Sequence, residues 1–229
     1  PEEPGGERAG ERVATVAQRQ MVAAANPLAA EAGRQILRAG GSAVDAAIAM
    51  QLVLNLVEPQ SAGIGGGGFL VHYDASTKVI VTYDGRETAP AASKPDMFLD
   101  AQGQPLPTAQ VSIGGAAVGV PGLLRMFEMA HRAHGRLPWA RLFEPAMQLA
   151  DEGFAVSPRL HKLLADDKRL RDFPAAAKYF YGPDGAPHPV GYRLSNPALF
   201  ETFRMIANGG ADAFYSGALA RDKIGRAHV

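Results

Sequence analysis

Glu58-Pro59-Gln60-Ser61-Ala62-Gly63-Ile64-Gly65-Gly66-Gly67-Gly68-Phe69 is the stretch on which the fold turns. Gly63 to Gly68 spells G-x-G-x-x-G, a dinucleotide-binding pattern that needs a strand before it and a helix after it, so that a pyrophosphate meets a helix N-terminus. The order here is reversed. Upstream, Ala43 to Val57 is apolar nearly all round, which predicts a helix buried on most faces. Ser42 offers an N-cap oxygen, Asp45 three residues on completes a capping-box-like start, and Glu58-Pro59 breaks the helix. Downstream, Phe69 to Tyr73 and Val79 to Tyr83 are β-rich runs around Asp74-Ala75-Ser76-Thr77-Lys78, a hairpin signature with a five-residue loop. The glycine run is therefore read as a tight loop that needs close backbone approach or positive φ. A non-catalytic ligand-binding or dinucleotide-binding domain built on that loop is the alternative, and equilibrium nucleotide binding separates the two.

A buried helix needs partners on both sides, which points to helices layered on sheets, an α+β architecture. Before it, Asn26-Pro27 starts an amphipathic helix with Leu28, Ala32, Ile36 and Leu37 on one face, stopped by Gly40-Gly41. After the hairpin, Ala91 to Gly115 is expected to be mostly loop. Pro121-Gly122 opens a helix carrying Leu123, Leu124, Phe127 and Ala130, with Gly135 as its stop. Trp139 to Glu152 is helical, with Pro145 beginning a new segment or kinking the old one. Ser157-Pro158 caps a helix to about Leu164. Arg171 to Gly191, with four prolines and three glycines, is expected to be one long loop. Asn196-Pro197 starts the last complete helix, ended by Asn208-Gly209-Gly210. Three sections follow: residues 1–20 as a flexible polar tail, 21–222 as one partial domain, and 223–229 as a non-native tail after a helical pattern that stops uncapped.

Composition narrows the function. The 229 residues hold 23 Lys plus Arg against 23 Asp plus Glu. A chain that neutralises many phosphates carries a basic excess, so nucleic acid is not an expected partner. With 47% apolar and 20% charged residues the chain can bury a core. The apolar stretch 43–57 falls short of the roughly 20 residues of a membrane span. No cysteine is present, which removes disulfides and thiolate chemistry.

Few side chains are placed for chemistry. His131 and His134 have a helical spacing that two metal ligands could use, but no H-E-x-x-H accompanies them, and Glu128, Arg132 and Arg136 give that face a solvated reading. No metal or cofactor is expected. His72 reads as a surface or satisfied core residue, and His161 and His188 show no recognisable partner. Neither a G-x-S-x-G elbow nor a P-loop occurs. Arg86 is the best candidate. It stands just past a strand end, beside Gly85 and in the turn through Pro90, where a guanidinium could grip a carboxylate by two parallel hydrogen bonds. From the local sequence alone, a surface arginine paired with Asp84 or Glu87 is the commoner reading, because exposed pairs are common and weak.

Several segments together resemble one family in order. They are Asn26-Pro27-Leu28-Ala29-Ala30, Ala39 to Ala47, Glu58 to Phe69, Asp84-Gly85-Arg86-Glu87-Thr88-Ala89-Pro90, Val120-Pro121-Gly122, Glu144-Pro145-Ala146, Leu149 to Phe154 and Phe214-Tyr215-Ser216-Gly217. Over about residues 20 to 222 the chain resembles the large-subunit part of γ-glutamyltranspeptidases. The resemblance implies an N-terminal nucleophile hydrolase of αββα sandwich architecture, incomplete in this chain, and a precursor that cleaves itself into large and small subunits. It implies attack by a new N-terminal threonine on the γ-glutamyl amide of glutathione and related substrates, with release to water or an amino-acid or peptide acceptor. Arg86 matches the family's substrate-carboxylate arginine. The nucleophile falls in the family's small subunit, so Thr15, Thr77, Thr82, Thr88, Thr108 and Thr202 are not candidates, no catalytic residue is expected in this chain, and the chain alone is expected to be inactive. Periplasmic or extracellular placement is also implied. A related cephalosporin or glutaryl acylase is the close alternative.

Overall fold

The computed structural model describes residues 16–227, with side chains up to residue 222. The expected N-terminal tail lies mostly outside this range, as do the side chains of the expected C-terminal tail. Helix α1 spans Pro27–Arg38; Asn26 caps it by accepting Leu28 N–H on Oδ1 at 3.0 Å. Its buried face is Ala29, Ala32, Gly33 and Ile36, and Gly33 lies so close to α2 that a Cβ there would sit 2.5 Å from Met50 Sδ. Gly40 has φ +91°, the left-handed turn expected after the helix.

Helix α2 spans Ala43–Val57 with both capping-box bonds formed: Asp45 N–H donates to Ser42 Oγ at 3.1 Å and Ser42 N–H to Asp45 Oδ2 at 2.8 Å. It is the centre of the core, since Ile48, Ala49, Leu52 and Val53 are fully buried. Each such Leu, Ile or Val contributes about 1.5–3 kcal/mol by leaving water. Four elements cover it: α1, the helices later in the chain at Leu123–His134 and Glu144–Glu152, and the 3₁₀ turn Trp139–Phe143.

Strands β1 (Gly68–Asp74) and β2 (Val79–Gly85) pair antiparallel from Gly68 opposite Gly85 to Asp74 opposite Val79. The connection is four residues, one shorter than expected, because Asp74 stays in the ladder while its Oδ1 accepts Ser76 N–H at 2.8 Å. Leu70 and Tyr83 pack against the core, whereas Phe69, Val71 and Tyr73 alternate with them and are exposed. The segment after β2 is turns and loop apart from α3 (Thr108–Val111) and a 3₁₀ turn at Gly115–Ala117, and then α4 spans Leu123–His134.

Pro145 begins a new helix: α5 is Glu144–Glu152, directly after the 3₁₀ turn. Strand β3 (Phe154–Ala155) pairs with β4 (Arg193–Leu194), and α6 (Pro158–Asp166) is capped by Ser157 Oγ, which accepts Leu160 N–H at 3.0 Å. The expected loop from Arg171 to Gly191 is corrected by α7, Pro174–Phe180. Its single proline occupies the first helical turn, where no N–H is needed, and Ala175 to Ala177 favour helix; the other three prolines follow the helix. Helices α8 (Pro197–Gly209), α9 (Asp212–Tyr215) and α10 (Gly217–Ala227) complete the described chain. No described helix is long and apolar enough to cross a membrane.

Candidate substrate-carboxylate site

β2 ends at Gly85, so Arg86 leaves the sheet at its open edge. Its backbone N–H donates to Asp84 Oδ1 at 2.9 Å, an Asx turn that fixes the exit direction. The neighbouring backbone is held on two sides by glycines. A Cβ on Gly67 would lie 2.6 Å from both Gly85 O and Glu87 Oε2, and one on Gly122 would lie 2.4 Å from Gly85 O and 2.8 Å from Arg86 O. No residue of the Gly63 to Gly68 run has positive φ, so of the two expected reasons for its composition, close approach is the one realised.

Hydrogen bonds fix this slot. Gly66 O accepts Gly122 N–H and Leu123 N–H, both at 3.2 Å, which satisfies two of the first donors of α4. Ile64 N–H donates to Asn55 Oδ1 at 2.8 Å, tying the glycine loop to α2. Thr88 and Val120 exchange two backbone bonds of 3.2 and 2.8 Å. The polypeptide around Arg86 is thus a two-walled slot built from Gly66-Gly67 and Pro121-Gly122.

The Arg86 side chain lies at the edge of an open cavity of about 520 Å³ whose walls include Thr88, Ser93, Lys94, Phe98 and Val118. Its side chain is 68% exposed and stands 3.5 Å from Glu87 Oε2. Both surface pairings considered from sequence are therefore partly present: Glu87 is a loose ionic neighbour, and Asp84 holds the backbone rather than the guanidinium. The guanidinium is mostly exposed, whereas Glu87 Oε2 is buried and makes no hydrogen bond, so the 3.5 Å approach is a loose ionic contact between a solvated cation and a covered oxygen. Lys94 adds a second cation at the cavity wall, which leaves the wall with two positive groups against the Glu87 carboxylate. Sequence reading missed Ser93, Lys94 and the 116–119 wall, because nothing periodic or compositional marks which part of a long loop folds over a strand end.

The imidazoles depart from their sequence reading. His131 Nε2 bonds to Leu137 O at 2.8 Å and lies 3.7 Å from buried Asp45. His134 stacks on His72 with centroids 3.8 Å apart, and its Nε2 bonds to Tyr83 Oη at 2.8 Å. Glu128 is buried and accepts Ala211 N–H at 3.0 Å. The face expected to be solvated is so only in part: Arg132 and Arg136 are exposed, whereas Glu128 is covered where α4 meets the segment around Ala211. His161 and His188, expected to lack partners, meet each other: His161 Nδ1 bonds to His188 O at 2.9 Å, and the His188 ring stacks on Tyr192.

The described structure thus sets a slot of glycines around Arg86 at the mouth of an open cavity, on a hairpin backed by a buried helix. Residues 29–227 match the family model described as gamma-glutamyltranspeptidase. The chain is 43% identical over 203 residues to the glutathione hydrolase proenzyme of Bacillus subtilis (strain 168), covering 88% of this chain and 34% of that protein. Among solved structures, Helicobacter pylori gamma-glutamyltranspeptidase superposes with a TM-score of 0.86 at 33% identity, over 91% of this chain and 60% of that one. Cephalosporin acylase from Bacillus halodurans superposes with a TM-score of 0.72 at 29% identity, over 94% and 43%.

The chain belongs to the γ-glutamyltranspeptidase family. Its fold is that family's mixed helix and sheet architecture in partial form, as the resemblance implied. The chain spans about a third of the length of the curated relatives it matches.

Proposed function

We propose that the protein carrying this chain is a γ-glutamyltransferase and glutathione hydrolase, and that Arg86 binds the α-carboxylate of its γ-glutamyl donor. The observation that carries the reading is the Arg86 guanidinium, held at a fixed strand end and turned to a cavity large enough for an amino-acid head group. Family membership and the proenzyme name of the Bacillus subtilis relative support it. In this reading a threonine hydroxyl from the remainder of the protein attacks the γ-glutamyl amide, with its own α-amino group as base. The amine leaves with the proton, and water or an amino-acid acceptor then takes the acyl group from the threonine ester. Arg86 contributes position: a carboxylate clamped at one end of a γ-glutamyl group sets where the distal amide falls.

Residues 21–222 form the domain in this proposal, a small subunit of the same precursor is the partner, and the setting is periplasmic or extracellular. The superposition on cephalosporin acylase favours a glutaryl acylase as the second reading. A glutaryl group keeps the terminal carboxylate and lacks only the α-amino group, so preference for glutaryl over γ-glutamyl substrates identifies the acylase. The test of the first reading is Arg86→Ala in the full-length protein with a γ-glutamyl anilide. A charge-assisted bond worth about 1.5–3 kcal/mol predicts a donor KM raised about ten- to a hundredfold. An unchanged KM overturns it.

A further inference from the structure

The motif Phe214-Tyr215-Ser216-Gly217 lies far in sequence from the site, yet its tyrosine reaches the slot that holds Arg86. Tyr215 Oη donates to Pro121 O at 2.7 Å across 94 residues of chain. The same oxygen lies 3.4 Å from Arg125 N, and the Arg125 guanidinium sits 5.1 Å from the ring centroid. The phenol is thus set against the first turn of α4. Burial pushes its pKa upward, so the hydroxyl keeps its proton and donates across the neutral range.

Polar contacts join α9 to α4. Arg125 pairs with Asp212 at 2.6 Å and with Glu128 at 2.9 Å, while Glu128 Oε1 accepts Ala211 N–H at 3.0 Å. Pro121 has no N–H, so its carbonyl is the only main-chain group through which a neighbour can hold it by a hydrogen bond. The next residue, Gly122, is the wall in contact with Gly85 O and Arg86 O. One wall of the slot is therefore anchored to α2 through Asn55, and the other to α9 through the phenol.

We infer that Tyr215 is a positioning residue for Arg86, acting through the Pro121-Gly122 turn, with no contact to substrate of its own. The inference rests on Arg86 being the donor-carboxylate contact, and the experiment separates the two. In the full-length protein, Tyr215→Phe, Arg86→Ala and the double variant are compared for KM and kcat on a γ-glutamyl anilide, with thermal midpoint and precursor processing measured alongside. Tyr215→Phe keeps the ring and removes one hydrogen bond. The expected result is a folded, processed enzyme with KM raised about three- to tenfold and kcat within about twofold. In the Arg86→Ala background the added effect of Tyr215→Phe disappears, a non-additivity that a purely structural role does not produce.

A folded Tyr215→Phe enzyme with unaltered KM overturns the inference, as does the same KM increase in both backgrounds. Failure of Tyr215→Phe to accumulate also overturns it, because a positioning role requires the fold to survive. Arg86→Ala with unaltered KM instead overturns the carboxylate reading beneath it.

Discussion

Replacing Gly122 by alanine tests the slot most directly. Gly122 has φ −108° and ψ −17°, a conformation open to any L residue, so the substitution brings no backbone strain. Considered through the unfolded chain alone, it stabilises by about 0.4–1 kcal/mol. The sign is decided by space. The new Cβ lands 2.4 Å from Gly85 O and 2.7 Å from Gly85 C, atoms of a strand end that cannot rotate away. Reaching even a 3.0 Å contact requires a shift of about 0.6 Å (3.0 − 2.4). Overpacking of this kind costs about 1–3 kcal/mol, so the net loss is up to about 2.6 kcal/mol (3 − 0.4), read as a lower urea midpoint. The same shift moves the base of Arg86. Since a 1 Å misplacement at a site can cost about a hundredfold, a KM increase of about tenfold for the γ-glutamyl anilide is expected, with the fold retained. Gly65→Ala is the matched control, because a Cβ there has no atom within 4 Å and its φ is not positive. Wild-type stability and KM in Gly122→Ala refute the slot.

Elements whose boundaries are set by local chemistry were legible in the sequence. The Ser42 and Asp45 capping box opens α2 at the expected residue, Glu58-Pro59 closes it, Pro145 opens α5, and Asn196 caps α8 by accepting Leu199 N–H at 3.0 Å. The hairpin followed from two β-rich runs and a turn-rich connection. Helix α7 was hidden because prolines were counted over a window instead of being placed within it. The candidate site was legible only as far as Arg86 itself. Lys94, the 116–119 wall and the Tyr215 hydroxyl are joined to it by contacts across loops and across 94 residues, which leave no local period. The glycine run shows the limit from the other side. Its composition announces close backbone approach or positive φ, but only the fold shows that approach is the reason and that the backbone approached is the one leading into Arg86.

Two further measurements probe the frame behind the site. Asp45 is fully buried, and its Oδ2 accepts the N–H groups of Ser42, Arg136 and Leu137 at 2.8, 2.9 and 3.1 Å. Asp45→Ala strands those three part-buried donors, and at about 1 kcal/mol each, the low end for groups water can partly reach, the expected loss is about 3 kcal/mol; a urea titration showing under about 1 kcal/mol contradicts that accounting. Tyr179, half-buried beside Phe180, has its phenol pKa pushed up to about 12 by burial, against a weaker opposing hydrogen bond with Asn196. The folded value exceeds the ordinary value of 10.0, so the folded state holds the Tyr179 proton more tightly than the unfolded chain does. Its contribution to stability is therefore complete below pH 10.0 and is lost as pH rises toward about 12. Comparing the wild type with Tyr179→Phe over that interval isolates the effect, because phenylalanine has no proton to release. The wild type is expected to lose stability faster than the variant, and parallel curves refute the assignment.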